Sequence, residues 1–282
     1  MRHAVSRAAR PGAVAGYLTL QWLGRTWGAT RQERHRPLPG DRLTRYPVAV
    51  TTHAITVNAP PAHIWLWLVQ MGWHRGGWYT AEWVDRILFP ANGPSADHII
   101  AGLQDIRPGD AIPDGPPEAG CEFTVADLEE NRHLILHSED HLPSGWKQRH
   151  GAWIDWTWAF VLDDLGNGKT RFVVRSRLRT GPWWVAAAYL LAVIPADFVM
   201  SRQMLHGVKV RAEQAGRARR RQETATLKRN IVPGVVDVLG GLPGRASTPA
   251  SRFRGAAESG SAVIGIRSVA GALRCGSPGG PW

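Results

Sequence analysis

Two neighbouring segments with a period of two constrain the fold most. From Trp153 to Leu162, one face collects Ile154, Trp156, Trp158, Phe160 and Leu162, and the other Trp153, Asp155, Thr157, Ala159 and Val161. Alternation of this length marks a half-buried strand. Asp164-Leu165-Gly166-Asn167-Gly168 is a turn, and Thr170 to Leu178 returns, with Phe172 and Val174 alternating with Arg171, Arg175 and Arg177. The pair reads as a hairpin. Its apolar face is rich in Trp and Phe and must be covered by another element. The arginine row reads as a solvated outer face.

The cover is encoded directly downstream. Gly181-Pro182 opens a helical pattern from Trp183 to about Gln214. Its first half, WWVAAAYLLAVIPADFVM, is apolar apart from Asp197, and Pro195 should kink it. A membrane span needs ~20 apolar residues, and Pro195 and Asp197 fall inside this run. The pattern therefore reads as a helix buried against a curved sheet. Its second half is amphipathic, with Met204, Val208 and Ala212 against Arg202, Lys209, Arg211 and Glu213.

Upstream, Thr52–Tyr79 combines a strand, a helix and a loop. Ile55 and Val57 share a strand face, and Asn58-Ala59-Pro60-Pro61 then starts a helix, Asn as a cap and Pro in the first turn. Ile64, Leu68 and Met71 follow at helical spacing, and Gly72 stops the helix before the loop Arg75-Gly76-Gly77-Trp78-Tyr79. Thr80 caps a second helix, Ala81 to Phe89, with Trp83, Ile87 and Leu88 on one side. Residues 106–120 are a Pro- and Gly-dense loop. Cys121, Phe123 and Val125 begin another alternating strand, and His133 to His137 is a further one.

The formal charge of +11 is concentrated at the ends. Residues 1–40 and 217–282 are strongly basic, whereas 41–216 carries slightly more acids than bases. This distribution argues against a basic nucleic-acid face on the folded body. The expected organisation is a basic N-terminal segment with a short apolar helix (1–40), a folded domain (41–216) and a disordered Gly/Pro/Ser-rich tail (217–282). Ala13 to Leu23 is an apolar run after Arg2, Arg7 and Arg10. It resembles a signal peptide, but Gly24-Arg25-Thr26-Trp27 is a poor cleavage site and the run is too short to span a bilayer. A helix packed on the domain or lying at a membrane interface fits better. Arg31 to Asp41 reads as a polar linker. Cys121 and Cys275 do not suggest a disulfide framework, so a reducing compartment, the cytoplasm, is expected, with membrane association left open.

The order is one strand, two helices, several antiparallel strands and one long helix. With that order, Ile55-Thr56-Val57-Asn58-Ala59-Pro60-Pro61 through Trp65-Leu66-Trp67-Leu68-Val69-Gln70-Met71-Gly72 and Arg75–Tyr79 resembles the START-like (SRPBCC) superfamily. The similar bacterial members are the polyketide cyclase/dehydrase and lipid-transfer group. Further matching residues are Gly109-Asp110 with Ile112-Pro113, Thr170-Arg171 with Val174–Arg177, and Phe198-Val199-Met200. Upstream, Trp27-Gly28-Ala29-Thr30 and Leu38-Pro39-Gly40-Asp41 also match. The resemblance covers roughly residues 25–215. It implies an α+β helix-grip fold, a curved antiparallel sheet wrapped around the C-terminal helix with an elongated apolar cavity between them. It does not imply one activity.

Ligand contacts are expected from Trp156, Trp158 and Phe160, joined by Phe172 and Val174, and from Arg75, Trp78 and Tyr79 in the Gly-Gly loop. Arg75 equally suits pairing with Asp110 to fasten that loop. His133, His137 and His141 have four-residue spacing, but on a strand the first two lie ~13 Å apart, so no metal is expected. No cofactor is expected either. The leading expectation is a binder of a hydrophobic small molecule or lipid. The alternatives are a polyketide cyclase/dehydratase-like enzyme, with Tyr79, Asp97, His98 and Asp110 as acid/base candidates, and a membrane-peripheral protein using residues 13–23. Acids facing the cavity would favour the enzyme. An uncovered apolar face on 13–23 would favour the membrane.

Overall fold

The expected hairpin is the centre of one sheet. β5 (Trp153–Gly166) and β6 (Lys169–Gly181) pair antiparallel, with Phe160 opposite Val174 and Trp158 opposite Ser176. β1 (Ala49–Val57) flanks β6 on one side, and β4 (His133–Ser138), β3 (Glu122–Glu129) and β2 (Ala111–Pro113) follow β5 on the other. The six-stranded antiparallel order is β1-β6-β5-β4-β3-β2, and the curved sheet holds the C-terminal helix in a helix-grip arrangement. This computed structural model describes the backbone of residues 9–88 and 93–236 and the side chains of 12–86 and 93–217.

The inner face is closed by α3 (Pro61–Val69) and α7 (Ile194–Val236). Ile64 and Leu68 of α3 and Met204, Leu205, Val208 and Ala212 of α7 are fully buried against Phe160, Phe172 and Val57. Each large side chain so buried contributes roughly 1.5–3 kcal/mol. The amphipathic spacing of the second half of α7 is therefore the core-facing stripe. Glycine permits the closest approach. At Gly207 an added Cβ would lie 1.9 Å from the Tyr79 carbonyl oxygen, so α7 crosses the Tyr79 loop backbone to backbone.

Pro60, not Asn58, stands at the start of α3, and no side chain caps it. Asn58 instead donates its backbone N–H and its amide to Glu213 Oε1, at 2.8 and 3.0 Å, tying the end of β1 to α7. Trp83 of α4 (Glu82–Leu88) is exposed, and the side chains of Ile87 and Leu88 lie outside the described residues.

The outer face departs from the solvated reading. Arg175 is 3% exposed. Its guanidinium donates to Asp41 Oδ2 and to the carbonyls of Glu33, Arg34 and Arg36. Arg171 binds Glu33 and the Gly28 carbonyl, and Arg177 reaches the Thr44 carbonyl. The segment read as a polar linker thus lies on the sheet, and the arginines satisfy its backbone. Leu38 adds a small apolar cluster with Ala54, Val161 and Val173. α2 (Arg31–His35) begins with a capping box in which Thr30 and Glu33 satisfy each other's backbone. Burial opposes ionisation of Glu33, but hydrogen bonds from Arg171 and Thr30 outweigh it and bring its carboxyl down to about 2.

α1 (Ala9–Thr26) is the expected apolar helix, and it packs beside the first half of the long helical segment. That segment is α6 (Trp183–Ala188), a π-helical turn over Tyr189–Val193, and then α7. Pro195 has no N–H to give to a carbonyl one turn back. α1 supplies donors there. Tyr17 Oη donates to the Leu191 carbonyl at 2.7 Å and Gln21 Nε2 to the Leu190 carbonyl at 2.7 Å. His53 on β1 hydrogen-bonds the Gly24 carbonyl at 2.9 Å, and burial pulls its imidazole down to about 4.

The chain divides into a unit of Met1–Ile231 and a second of Val232–Trp282. α7 continues through residue 217, where the tail is expected to begin, to Val236, and the rest of that tail lies outside the described residues.

Gly207→Ala is expected to destabilise the protein by about 2–3 kcal/mol, because backbone atoms on both sides of the crossing must separate. Urea unfolding followed by circular dichroism measures this, and an unchanged midpoint would show that the crossing is not tight.

Candidate functional site

A cavity of about 550 Å³ lies between the sheet and the helical segment from residue 185 to 200. The sheet contributes Ile154, Trp156, Trp158 and Thr180. The helices contribute Val185, Ala188, Tyr189, Val193, Asp197 and Met200. Trp78, Asp114, His141 and Trp146 close the remaining side. The size suits a small organic ligand.

The aromatic wall is ordered by strand pleat. Trp156 and Trp158 are two residues apart on β5, so both project inward, with ring centroids 5.8 Å apart and planes at 22°. Trp78 from the Gly-Gly loop stacks on Trp158 at 5.4 Å. Trp156 Nε1 donates to Ser176 Oγ at 2.7 Å. The Trp78 indole N–H is buried and has no partner among the described residues.

Polar groups are few and localised. His141 lies between Asp114 Oδ2, 3.0 Å from Nε2, and Ser138 Oγ, 2.7 Å from Nδ1. Asp85 accepts from Thr80 Oγ1 at 2.5 Å. Asp197 accepts a hydrogen bond from Ser201 at 3.3 Å, and burial pushes its carboxyl up to about 6. Burial, with Asp197 nearby, also raises the Tyr189 hydroxyl.

Of the residues expected to bind ligand, Trp78, Trp156 and Trp158 meet at this cavity. Phe160, Phe172 and Val174 do not line it. They lie further along the sheet, in the packed core under α3 and the second half of α7. Arg75 and Trp78 line a separate recess of about 280 Å³. The Arg75 guanidinium donates to the Met71 and Val69 carbonyls, both at 2.9 Å, so it fastens the end of α3 through backbone. The Asp110 carboxylate instead accepts from the Arg107 backbone N–H. Tyr79 is buried outside the cavity, with its hydroxyl donating to the Trp67 carbonyl at 2.9 Å. Asp97 and His98 pair with each other on the surface. None of the four acid/base candidates therefore lines the cavity.

The residues missed were Asp114, His141, Asp197 and Tyr189. Asp197 had a signal, as the lone charge in an apolar helical run. The sequence offers His141 only through its spacing to His133 and His137. In the structure His133, His137 and His141 pair with Asp127, Asp155 and Asp114 respectively.

No family model and no curated protein matches this chain. Solved structures do resemble it. A hypothetical protein from Helicobacter pylori is 12% identical at a TM-score of 0.39, over 62% of this chain and 95% of its own. The Zhui aromatase/cyclase from Streptomyces sp. R1128 is 17% identical at 0.32, over 59% and 94%. A norcoclaurine synthase from Thalictrum flavum is 14% identical at 0.31, over 56% and 95%.

Asp197 makes stability pH-dependent. Its folded-state value of about 6 lies above the ordinary 3.8, so the folded form holds its proton longer than the unfolded chain. Stability is therefore expected to fall as pH rises from about 4 to about 6 and to level off above. Asp197→Asn should unfold at higher denaturant than wild type at pH 7.5, with the gap closing towards pH 4. Equal midpoints at pH 7.5 would refute the shift.

Proposed function

We propose that the protein binds a hydrophobic small molecule or lipid in the cavity between β5, β6 and the 185–200 helical segment, as a START-like protein would. The observation that carries this reading is the cavity itself. It is walled by Trp78, Trp156 and Trp158, and few polar groups interrupt its apolar lining. Burial of an apolar ligand there would contribute ~25 cal/mol per Å² removed from water. The sequence resemblance supports the START-like assignment through the same loop that supplies Trp78.

Native mass spectrometry of the full chain, freshly purified, tests it. A bound adduct of defined mass, released by solvent extraction and lost in a Trp158→Ala variant, is the expected result. A protein that stays free of adduct and takes up no apolar probe would overturn the reading.

Two other readings each have an observation. A cyclase- or dehydratase-like reaction needs a positioned acid or base, and Asp197 lines the cavity with its carboxyl raised by burial. The membrane reading draws on α1. Val14, Leu18 and Trp22, spaced four apart, are each more than half exposed, and Trp183 and Leu191 are exposed on the neighbouring helical segment. Trp183–Arg217 is also long and apolar enough to cross a membrane by length and composition. An amphipathic surface with arginines at its start suits an anionic interface. The full chain should co-sediment with vesicles of mixed phosphatidylcholine and phosphatidylglycerol, and Leu18→Asp with Trp22→Asp should leave it in the supernatant. Wild type remaining soluble in both cases would remove the membrane reading.

A further inference from the structure

We infer that the cavity selects cations: its ligand carries a protonated amine or quaternary ammonium group on an apolar body. This rests on the binding reading above and names the ligand class for the same site.

The first argument is the sign of the lining. Asp114 and Asp197 are both in the wall, and no Lys or Arg is among the described residues that line it. His141 is the one basic side chain there, and Asp114 and Ser138 already engage it. A ligand carboxylate or phosphate would meet acids and no cationic partner.

The second argument is the state of Asp197. Four other buried or half-buried carboxylates have cationic partners. Glu33 has Arg171, Asp41 has Arg175, Asp163 has Arg36 and Glu213 has Lys209. Asp197 has a hydroxyl, Ser201, and no ion pair among the described residues. Charges taken out of water are ordinarily paired. A cationic ligand would supply the missing partner at the cavity's helical wall.

The third argument is the aromatic surface. Trp78, Trp158 and Trp156 form a run of stacked indoles. Indole faces attract alkylammonium groups, most strongly where water is excluded.

Isothermal titration of the full chain at pH 7.5 with three probes of one chain length tests this. The probes are octyltrimethylammonium, octanol and octanoate. Octyltrimethylammonium should bind at least about tenfold more tightly than octanol, and octanoate more weakly than either. Asp197→Asn, checked for folding by circular dichroism, should bring the ammonium affinity down to about that of octanol and leave octanol binding unchanged. Asp114→Asn should show the same direction independently. Binding of all three probes with equal affinity would overturn charge selection while leaving the apolar site intact. Octanoate binding as tightly as the ammonium would also overturn it. No binding of any probe would overturn the cavity reading and this inference together.

Discussion

The packing of one long helical segment on the inner face of a curved sheet is what the rest of this protein depends on. α7 meets the sheet closely where Met204, Leu205, Val208 and Ala212 press on Phe160 and Phe172. Gly207 marks the tightest point, where only hydrogen separates helix backbone from the Tyr79 carbonyl. Towards residue 185 a cavity lies between the helical segment and the sheet, and the same strand that buries Phe160 contributes Trp156 and Trp158 to its wall. One strand face thus changes from core to cavity wall within a few residues.

This change explains what was legible in the sequence. Period two in β5 and β6 placed Trp156, Trp158, Phe160, Phe172 and Val174 on one face, and the structure puts them there. Alternation encodes the face but not the depth of packing along it. Depth depends on what packs against each position, which is set by contacts with elements distant in sequence. Phe160, Phe172 and Val174 therefore read like Trp156 and Trp158 yet belong to the core. Asp114 and His141 are hidden for a related reason. Asp114 sits in a Pro/Gly-rich loop and His141 just beyond β4, and neither carries a periodic signal.

The arginine row shows the opposite limit. Arg171, Arg175 and Arg177 alternate with apolar residues as an exposed face would. A guanidinium carries five donors in a fixed fork and can satisfy several carbonyls at once. Arg175 uses that capacity on the carbonyls of residues 33, 34 and 36, so a segment without long secondary structure can be buried on a sheet without orphaned acceptors. Burial and Asp41 act on its charge in opposite directions, and burial prevails, which lowers its affinity for the proton. Glu33 links the two layers, capping α2 through Thr30 and holding Arg171 through both carboxylate oxygens.

The proline in the helical segment joins these themes. Pro195 reads as a kink, and the structure has a π-helical turn just before it, Tyr189–Val193, which includes the carbonyls of Leu190 and Leu191. α1 docks on those carbonyls through Tyr17 and Gln21, so the defect in one helix is the attachment point for another. Docking leaves Val14, Leu18 and Trp22 outward and places Tyr189 and Asp197 inward, on either side of the same break.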